Sequence, residues 1–390
     1  MEKQKVKSLF ESVFKKEGIL FFAPGRINLI GEHTDYNGGH VFPCAISLGT
    51  YGVASLREDD QIRFYSENFP DKGIISCTVN ELDYRKKDDW ANYPKGVIRY
   101  LKDSGYAIKQ GMDILFYGNL PNGAGLSSSA SIEMLTGVIV KDLFQLEVSR
   151  LELIKLGQKV ENAFIGVNSG IMDQFAVGMG KKDHAILLDC QTLDYELVPL
   201  ELQAYKIVIM NTNKRRELAD SKYNERRQEC EEAVKILNQA LSIQALGELT
   251  NEEFTSQAEQ LPPLMRKRAK HAVSENIRTL EAAAALKQGK LAAFGKLMNE
   301  SHESLRDDYE VTGVELDILV ETAWQLPGVV GARMTGAGFG GCAIAIVEDA
   351  HIDTFIQQVG QRYQEKIGYA ADFYIADISD GATILEEDET

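Results

Sequence analysis

The sequence predicts a mixed α+β protein of two domains, on the strength of its length and one change along the chain. The chain has 390 residues, and domains of about 100–200 residues are typical, so two domains are the simplest division. Strand patterns are frequent up to about residue 202, whereas residues 214–325 are mostly helical in pattern. We therefore expect domains at 1–202 and 203–390, with the last strand, near 371–379, returning to the first domain.

Apolar periodicity places the elements of the first domain. Val6, Phe10 and Val13 lie at helical spacing, so a helix opens the chain. Met112, Ile114 and Phe116 alternate with other residues, which indicates a strand. The other predicted elements are a strand at 19–22, a Gly-rich loop at 23–39, short strands within 41–81, a loop at 121–128, helices at 132–143 and 153–164, and a strand at 185–188.

The second domain begins with a strand at 206–210 and continues as helices that Pro262 and Pro263 interrupt. The charges of residues 230–300 suggest a solvated helical face. A second Gly-rich loop at 334–341 precedes the last predicted elements, which are a strand at 342–347, a helix at 352–363 and a strand at 373–378.

Charge and cysteine content limit the classes of partner. The net charge is -16, and nucleic acids and anionic membranes both need a basic face, so we expect neither as a partner. The five cysteines are scattered without a CxxC pair, which favours a reducing compartment over a disulfide framework or zinc site. No signal peptide or membrane span is predicted. We expect a cytoplasmic protein, and a monomer as the simplest state.

Residues 121–131 (PNGAGLSSSAS) have the composition of a phosphate-binding loop between a strand and a helix. Glycines let backbone N–H groups approach an anion, and the helix N-terminus favours negative charge. A serine hydroxyl at this position suits Mg²⁺. The sequence GxxxxGK[ST] is absent, so a Walker P-loop is not supported. A Ser-rich helix N-cap is the alternative interpretation.

Residues 336–341 (GAGFGG) match GxGxxG, the pattern of dinucleotide-binding loops. Such a loop must open a helix, but the residues after it, CAIAIV, read as a strand, so we reject the dinucleotide interpretation. Two alternatives remain, which are a plain hairpin turn and a loop that closes over phosphates from the second domain.

Two further segments carry groups suited to a polyol and to acid–base chemistry. Residues 23–39 crowd polar side chains after a strand, and burying such groups unpaired would cost about 1–3 kcal/mol each. Glu32, His33 and Asp35 lie within four positions and suit the hydroxyls of a sugar. Asp173 lies among apolar residues; such an Asp is usually a helix cap, but beside a hydroxyl it would act as a general base.

Several motifs together resemble the galactokinases, members of the wider GHMP family of galacto-, homoserine, mevalonate and phosphomevalonate kinases. Residues 25–36 (GRINLIGEHTDY) are similar to the galactokinase signature. Residues 123–131 and 334–341 resemble the phosphate loop and the C-terminal motif of the wider family. Further similar stretches, in the expected order, are 90–93, 170–174, 221–223 and 304–310.

The resemblance implies a fold and a reaction. The fold would have an N-terminal ribosomal protein S5 domain 2-like domain and a C-terminal ferredoxin-like domain, with the active site in the cleft between them. The reaction would be ATP-dependent phosphorylation of D-galactose at its C1 hydroxyl, giving galactose 1-phosphate and ADP. This is the first committed step of galactose use through the Leloir pathway, and it uses Mg²⁺ with ATP.

The resemblance also implies a role for individual residues. Asp173 matches the catalytic aspartate, and Arg26 matches the arginine that stabilises developing charge. Galactose contacts would come from Glu32, His33, Thr34, Asp35, Gly170, Asp173 and Tyr223. Nucleotide contacts would come from Ser66, Trp90, Gly123, Ala124, Gly125, Leu126, Ser127, Ser128 and Ser129. Ser129 and Glu161 would bind Mg²⁺.

Three alternatives remain open at this stage. The first is a kinase for a related sugar, N-acetylgalactosamine or arabinose. The second is a non-catalytic galactose and ATP sensor on the same fold, although Arg26, Ser129 and Asp173 are all present. The third is an unrelated nucleotide-binding module, which the missing Walker and Rossmann contexts disfavour.

Overall fold

The computed structural model describes residues 2–121, 124–214 and 219–385 of the chain. Its largest sheet is mostly antiparallel, with one parallel pair, β4 with β6. In spatial order the strands are β13 (Thr383–Ile384), β1 (Ile19–Asn28), β3 (Pro43–Leu56), β6 (Met112–Gly118), β4 (Gln61–Ser66) and β5 (Ile75–Thr78).

Two smaller sheets follow, and both are antiparallel. One contains β10 (Val329–Thr335), β11 (Cys342–Glu348), β9 (Tyr205–Asn211) and β12 (Asp372–Ala376), in that order. The other contains β2 (His40–Val41), β7 (His184–Asp189) and β8 (Tyr195–Pro199).

The α-helices of the first half are α1 (Glu2–Phe14), α2 (Asn92–Asp103), α3 (Ser128–Leu143), α4 (Arg150–Lys159) and α5 (Met172–Met179). Those of the second half are α6 (Ala219–Leu241), α7 (Asn251–Gln257), α8 (Pro263–Lys287), α9 (Leu291–Ser304), α10 (Val314–Trp324) and α11 (Ile352–Ile367). None of the helices in the described residues combines the length and apolarity needed to cross a membrane.

Burial explains why these helices form where they do. The apolar stripe of α1, including Phe10, packs on Leu20, Val53 and Leu115 of the large sheet. On the sheet's other face, Leu135 and Ile139 of α3 belong to the largest buried cluster. Another cluster joins the two halves of the chain, because residues of β1 and β3 share it with residues of β9, β11 and α9.

The first Gly-rich loop is shorter than predicted. Residues 23–28 continue strand β1 rather than leaving it, and the pairing with β3 shifts register between Pro24 and Gly25. Proline is tolerated in a strand at such a bulge, since it has no N–H to donate. The strand therefore carries Arg26 and Asn28 up to the edge of the loop at 29–39.

The strand predicted near 371–379 is divided between two sheets. Residues 372–376 pair with β9 as β12 in the second sheet. The chain then returns to strands of the first half, through a bridge of Ile378 to Ile46 and through the pairing of β13 with β1. The domain boundary near residue 203 itself remains a prediction.

Two other interpretations have clear outcomes. Residues 336–341 connect β10 to β11 as a hairpin, so a dinucleotide-binding loop is excluded, and closure of this loop over phosphates stays a prediction. The solvated face expected for residues 230–300 is wrong for part of that segment, because Arg268, His271 and Glu275 are buried. Strands β8 and β10 and helices α2 and α5 had not been predicted.

Candidate active site

A cavity of about 480 Å³ opens between the two predicted domains. This volume is within the range of about 300–1,000 Å³ that is usual for small-molecule sites. Tyr223, Gly336 and Ala337 of the second half face residues of the first half across it. Most of the predicted site residues line the cavity: Arg26, Glu32, His33, Asp35, Gly125, Leu126, Ser127, Ser128, Ser129, Glu161, Gly170, Asp173 and Tyr223.

Arg26 and Asp173 form a two-pronged ion pair, although 147 residues separate them in sequence. Arg26 Nε donates to Asp173 Oδ1 at 2.9 Å, and Arg26 Nη2 donates to Asp173 Oδ2 at 2.8 Å. The Arg26 side chain is 6% exposed, while 28% of the Asp173 side chain remains exposed. The pair therefore presents a fixed carboxylate to the cavity.

The phosphate-loop segment is attached to this pair. Ser127 Oγ donates to Asp173 Oδ2 at 2.5 Å, and Arg26 Nη1 donates to the Gly125 carbonyl at 2.7 Å. Ser127 has a φ of 63° and precedes α3, so the chain turns sharply into the helix there. The loop and the pair of Arg26 and Asp173 are thus held as one unit.

The N-terminus of α3 faces the cavity with a suitable charge for phosphate. Ser128 and Ser129 begin the helix and line the cavity, and the first N–H groups of a helix lack partners within it. Ala124 is buried and does not line the cavity. Gly123 lies outside the described residues.

Ser129 and Glu161 lie together beside this helix end. Burial raises the pKa of Glu161, while hydrogen bonds from Ser129 and Ser169 oppose that rise. The described residues contain no group of three or more His, Cys, Asp or Glu side chains able to hold a metal. Mg²⁺ bound with nucleotide usually takes only one or two protein oxygens and completes its shell with phosphates and water, so this hydroxyl and carboxylate fit it.

Asp35 and Gly170 lie against each other in the wall of the cavity. A Cβ atom at position 170 would lie only 1.8 Å from Asp35 Oδ2, so only glycine allows this approach. Burial, followed by repulsion from Asp173, raises the pKa of Asp35 to about 6. A carboxylate held in this way is a strong acceptor for a hydroxyl group.

His33 is neutral, and the hydrogen bonds to its two ring nitrogens define its tautomer. Nε2 lies 3.2 Å from the Ala337 carbonyl and must donate to it, so Nδ1 accepts from the Tyr36 hydroxyl at 2.7 Å. Burial lowers the pKa of His33 to about 3. The ring of Tyr223 lies 5.6 Å from the His33 ring, between centroids.

Glu32 connects the cavity to the second half of the chain. Its Oε1 accepts from the Gly336 N–H at 2.7 Å and from Arg333 Nη1 at 3.3 Å, and its Oε2 accepts from Asn28 Nδ2 at 3.0 Å. Burial raises the pKa of Glu32, and Arg333 opposes the rise. Glu32 lines the cavity with oxygens whose positions the protein already fixes.

The Thr34 side chain is turned towards the loop that carries it. It is fully buried, and its hydroxyl lies 2.8 Å from the Gly31 carbonyl and 2.6 Å from the His40 carbonyl. The hydroxyl is therefore used in shaping the loop, and Thr34 is not among the residues that line the cavity. A sugar contact by this side chain stays a prediction.

Ser66 and Trp90 both lie near Phe116 and outside the cavity. Ser66 ends β4 opposite Phe116 of β6, and the Trp90 ring packs edge-on against Phe116, with centroids 5.7 Å apart. Trp90 Nε1 is buried without a hydrogen-bond partner among the described residues. This N–H group could therefore donate a hydrogen bond to a ligand.

Sequence reasoning missed several residues around the site. Tyr93, Ser169 and Ala337 line the cavity, and Glu275 and Arg333 lie buried behind it. Tyr93 and Ala337 lie within the similar stretches 90–93 and 334–341, and Arg333 is a lone charge between Ala332 and Met334, so these three had a visible signal. Backbone carbonyls such as that of Ala337 leave no mark in a sequence.

Family models match three parts of the chain. The galactokinase galactose-binding signature matches residues 8–56. The N-terminal domain of the GHMP kinases matches residues 92–181, and their C-terminal domain matches residues 282–365. The cavity residues fall within the first two matches or between the second and third, apart from Gly336 and Ala337 in the third.

Full-length relatives agree with these matches. A galactokinase of Enterococcus faecalis is 64% identical over 378 residues, which are 96% of this chain and 98% of the relative. A galactokinase of Ligilactobacillus salivarius is 60% identical, with 99% of this chain and 100% of the relative covered.

Solved structures give the same result at the level of the backbone. The Lactococcus lactis galactokinase complexed with galactose superimposes with a TM-score of 0.96 at 55% identity, covering 99% of this chain and 100% of that one. The Methanococcus jannaschii mevalonate kinase has a TM-score of 0.66 at 20% identity and covers 94% of this chain and 100% of that one, which shows the shared fold alone.

Proposed function

This chain belongs to the galactokinases, within the GHMP kinases, and we infer from that membership that it uses ATP to phosphorylate D-galactose at the C1 hydroxyl. The products are galactose 1-phosphate and ADP. The observation that carries the mechanism is the two-pronged pair of Arg26 and Asp173 on the wall of the cavity, between the phosphate loop and the sugar-facing loop.

We propose that Asp173 orients the C1 hydroxyl and accepts its proton. The C1 oxygen then bonds to the γ-phosphorus while the bond between that phosphorus and its bridging oxygen to the β-phosphate breaks, releasing ADP. Asp173 suits this role because Arg26 and Ser127 fix both its oxygens from the protein side while its exposed part faces the cavity. Phosphoryl transfer depends chiefly on such positioning and on charge neutralisation.

Arg26 has two roles in this proposal. It holds the Asp173 carboxylate, and its cation lies where the transferred group would develop negative charge between loop and sugar. Because its Nη1 also donates to the Gly125 carbonyl, the guanidinium cannot move with Asp173 without breaking its bond to the loop. The arginine therefore sets the distance between the phosphate loop and the base.

The sugar would bind against Glu32, His33, Asp35, Gly170 and Tyr223, which all line the cavity. These groups offer carboxylate acceptors and aromatic faces, which match the hydroxyls and the apolar C–H surface of a hexose. The absent side chain at position 170 leaves Asp35 close to the site. Galactose, rather than a related sugar, is favoured by the family membership of the whole chain.

We propose that the nucleotide binds as Mg-ATP. Residues 123–129 and the N-terminus of α3 would hold the phosphates, and Ser66 and Trp90 would contact the nucleoside from the neighbouring strand end. Ser129 and Glu161 would hold Mg²⁺, which supplies charge neutralisation on the phosphates when bound. We also propose that the enzyme acts as a cytoplasmic monomer, in keeping with five free thiols.

A coupled assay for ADP release tests the function directly. The purified chain is incubated with ATP and Mg²⁺ and with galactose, glucose, N-acetylgalactosamine or arabinose in turn. Among these four sugars, we expect rapid ADP release only with galactose. Phosphorus NMR should identify the product as galactose 1-phosphate. Equal or greater turnover with another sugar would reassign the substrate, and binding of galactose without any ADP release would support the sensor alternative.

A further inference from the structure

The loop that presents the sugar-facing residues is held from behind by a carboxylate from the second half of the chain. Glu275, in α8, is fully buried. Its Oε1 accepts hydrogen bonds from the backbone N–H groups of Gly31 at 2.9 Å and Glu32 at 3.3 Å. The Ser301 hydroxyl donates to the same oxygen at 2.6 Å. One carboxylate oxygen therefore fixes two consecutive peptide groups of the loop.

Arg333 connects this carboxylate to the cavity. Its Nη2 lies 3.7 Å from Glu275 Oε1, and its Nη1 donates to Glu32 Oε1 at 3.3 Å. It also donates to the Asn28 carbonyl at 3.1 Å, at the end of β1. The Arg333 side chain is fully buried, so it lies between the carboxylate behind the loop and the carboxylate that lines the cavity.

The array is charged rather than neutral. Burial alone would raise the pKa of Glu275, but Arg278, His271 and Arg333 together lower it to about 2. Arg278 pairs with the other oxygen of Glu275 and is 13% exposed. Two carboxylates and two guanidinium groups thus form one connected cluster from the surface of α8 to the edge of the cavity.

The cluster is more than is needed to fill space. Buried ion pairs are weak contributors to stability, and apolar side chains of similar volume often serve as well. Here the Glu275 carboxylate binds the backbone of the loop at Gly31 and Glu32. Gly31 has a φ of 93°, and a Cβ atom there would lie 2.9 Å from Thr279 Oγ1 of α8. The loop is pressed onto α8 at the point where Glu275 takes its N–H groups.

We propose that Glu275 is a positioning residue for the sugar substrate. By holding the N–H groups of Gly31 and Glu32, it fixes the loop that carries His33 and Asp35, and through Arg333 it fixes the Glu32 carboxylate. The inference rests on the proposed function, because it assigns a further role within the same sugar site. Glu275 and Arg333 do not line the cavity, so they act on the sugar only through the loop and the Glu32 carboxylate.

Two conservative variants separate the acceptor oxygen from the charge. Glu275→Gln keeps an oxygen in place for the two N–H groups but removes the charge. Glu275→Asp keeps the charge but withdraws the oxygen by one methylene. If the oxygen positions the loop, Glu275→Asp should raise the KM for galactose about tenfold, as the loss of hydrogen bonds to a charged group predicts. In Glu275→Gln that KM should stay within about threefold of wild type, and in both variants the KM for ATP should change by less than about twofold.

Matched controls show whether lost stability explains the effect. Glu229→Asp shortens another nearly buried carboxylate, which pairs with Arg226 and Arg268 and does not line the cavity. Asp113→Asn neutralises a fully buried carboxylate paired with Lys16, Arg57 and Arg63. Both controls should lower Tm and leave the KM for galactose unchanged.

Amide hydrogen exchange gives a readout independent of activity. The peptide covering residues 29–35 should exchange faster in Glu275→Asp than in wild type and Glu275→Gln, because the Gly31 and Glu32 amides lose their acceptor. An unchanged KM for galactose in Glu275→Asp, or an equal rise in Glu229→Asp, overturns the inference. A wild-type chain that releases no ADP with galactose would instead refute the proposed function, so the two failures are distinguishable.

Discussion

Gly170 approaches Asp35 so closely that a β-carbon on residue 170 would lie 1.8 Å from Asp35 Oδ2. The clash would fall on the tip of a side chain and not on backbone atoms, and residue 170 needs no positive φ. An added methyl group would therefore displace the Asp35 carboxylate and leave the fold intact. The closeness of these residues turns a one-carbon change into a test of sugar binding.

We accordingly predict that Gly170→Ala raises the KM for galactose about tenfold or more, because a charged acceptor is moved out of place. The KM for ATP and the Tm should stay near the wild-type values. Gly360→Ala is a suitable control, since a Cβ there meets only the Phe373 ring at 3.3 Å, on a helix away from the cavity. A normal KM for galactose in Gly170→Ala would remove Asp35 from the sugar site.

Asp173→Ala tests the proposed base. The substitution removes the group that accepts the proton, so kcat should fall by about 100- to 10,000-fold. Galactose binding, measured by calorimetry, should remain detectable because the other sugar-facing groups are unchanged. Asp183→Ala, at an exposed turn, is the control. Full activity of Asp173→Ala would exclude this carboxylate from the mechanism.

Ser129→Ala tests the proposed metal ligand. Without this hydroxyl, a higher Mg²⁺ concentration should be needed for half-maximal rate, and kcat should fall, because the metal keeps only the Glu161 carboxylate from the protein. Ser256→Ala is a suitable control, since Ser256 is an exposed serine of helix α7 that does not line the cavity. The assignment would fail if both variants showed the Mg²⁺ response of the wild type.

The raised pKa of Asp35 predicts a pH dependence. The folded value is about 6 and the ordinary value is 3.8, so the folded protein binds this proton more tightly than the unfolded chain does. The carboxyl group therefore opposes folding above about pH 6, and that cost disappears as the pH falls towards 4. For activity the direction is opposite, because the protonated group is a poorer acceptor for sugar hydroxyls.

We expect kcat/KM for galactose to fall on the acid side with a midpoint near pH 6. In Asp35→Asn the overall value should be lower and this acid limb should be lost. Rates are compared at constant ionic strength and saturating Mg²⁺. Survival of the same acid limb in Asp35→Asn would assign it to another group.

The sequence predicted that Arg26 and Asp173 would lie together, but it did not predict how the fold supports them. Arg26 and Asp173 were expected to meet beside a sugar, and they do meet, through two hydrogen bonds. This was predictable because motif resemblance carries spatial information that periodicity lacks. Helices with clear apolar stripes, such as α1 and α11, were also predicted within a few residues.

Other features depend on tertiary contacts that a single sequence does not contain. Thr34 lies within the signature loop, and only the folded backbone shows that its hydroxyl turns away from the cavity towards the carbonyls of Gly31 and His40. Glu275 looked like part of a solvated helical face, because Arg278 and the nearby charges gave no sign of burial. The burial of Glu275 becomes visible only in the folded structure, because one of its partners, Arg333, comes from a strand that is distant in sequence.

The pairing of β13 with β1 has a consequence for how this chain is handled. In the described sheet, Thr383 and Ile384 cover the outer side of Phe22 and Phe21, next to the strand that leads to Arg26. A chain shortened to end at Ala382 would leave β1 as the edge strand of the sheet. Its unpaired backbone N–H and C=O groups could then pair with a strand from a neighbouring molecule. Such a truncation should favour self-association.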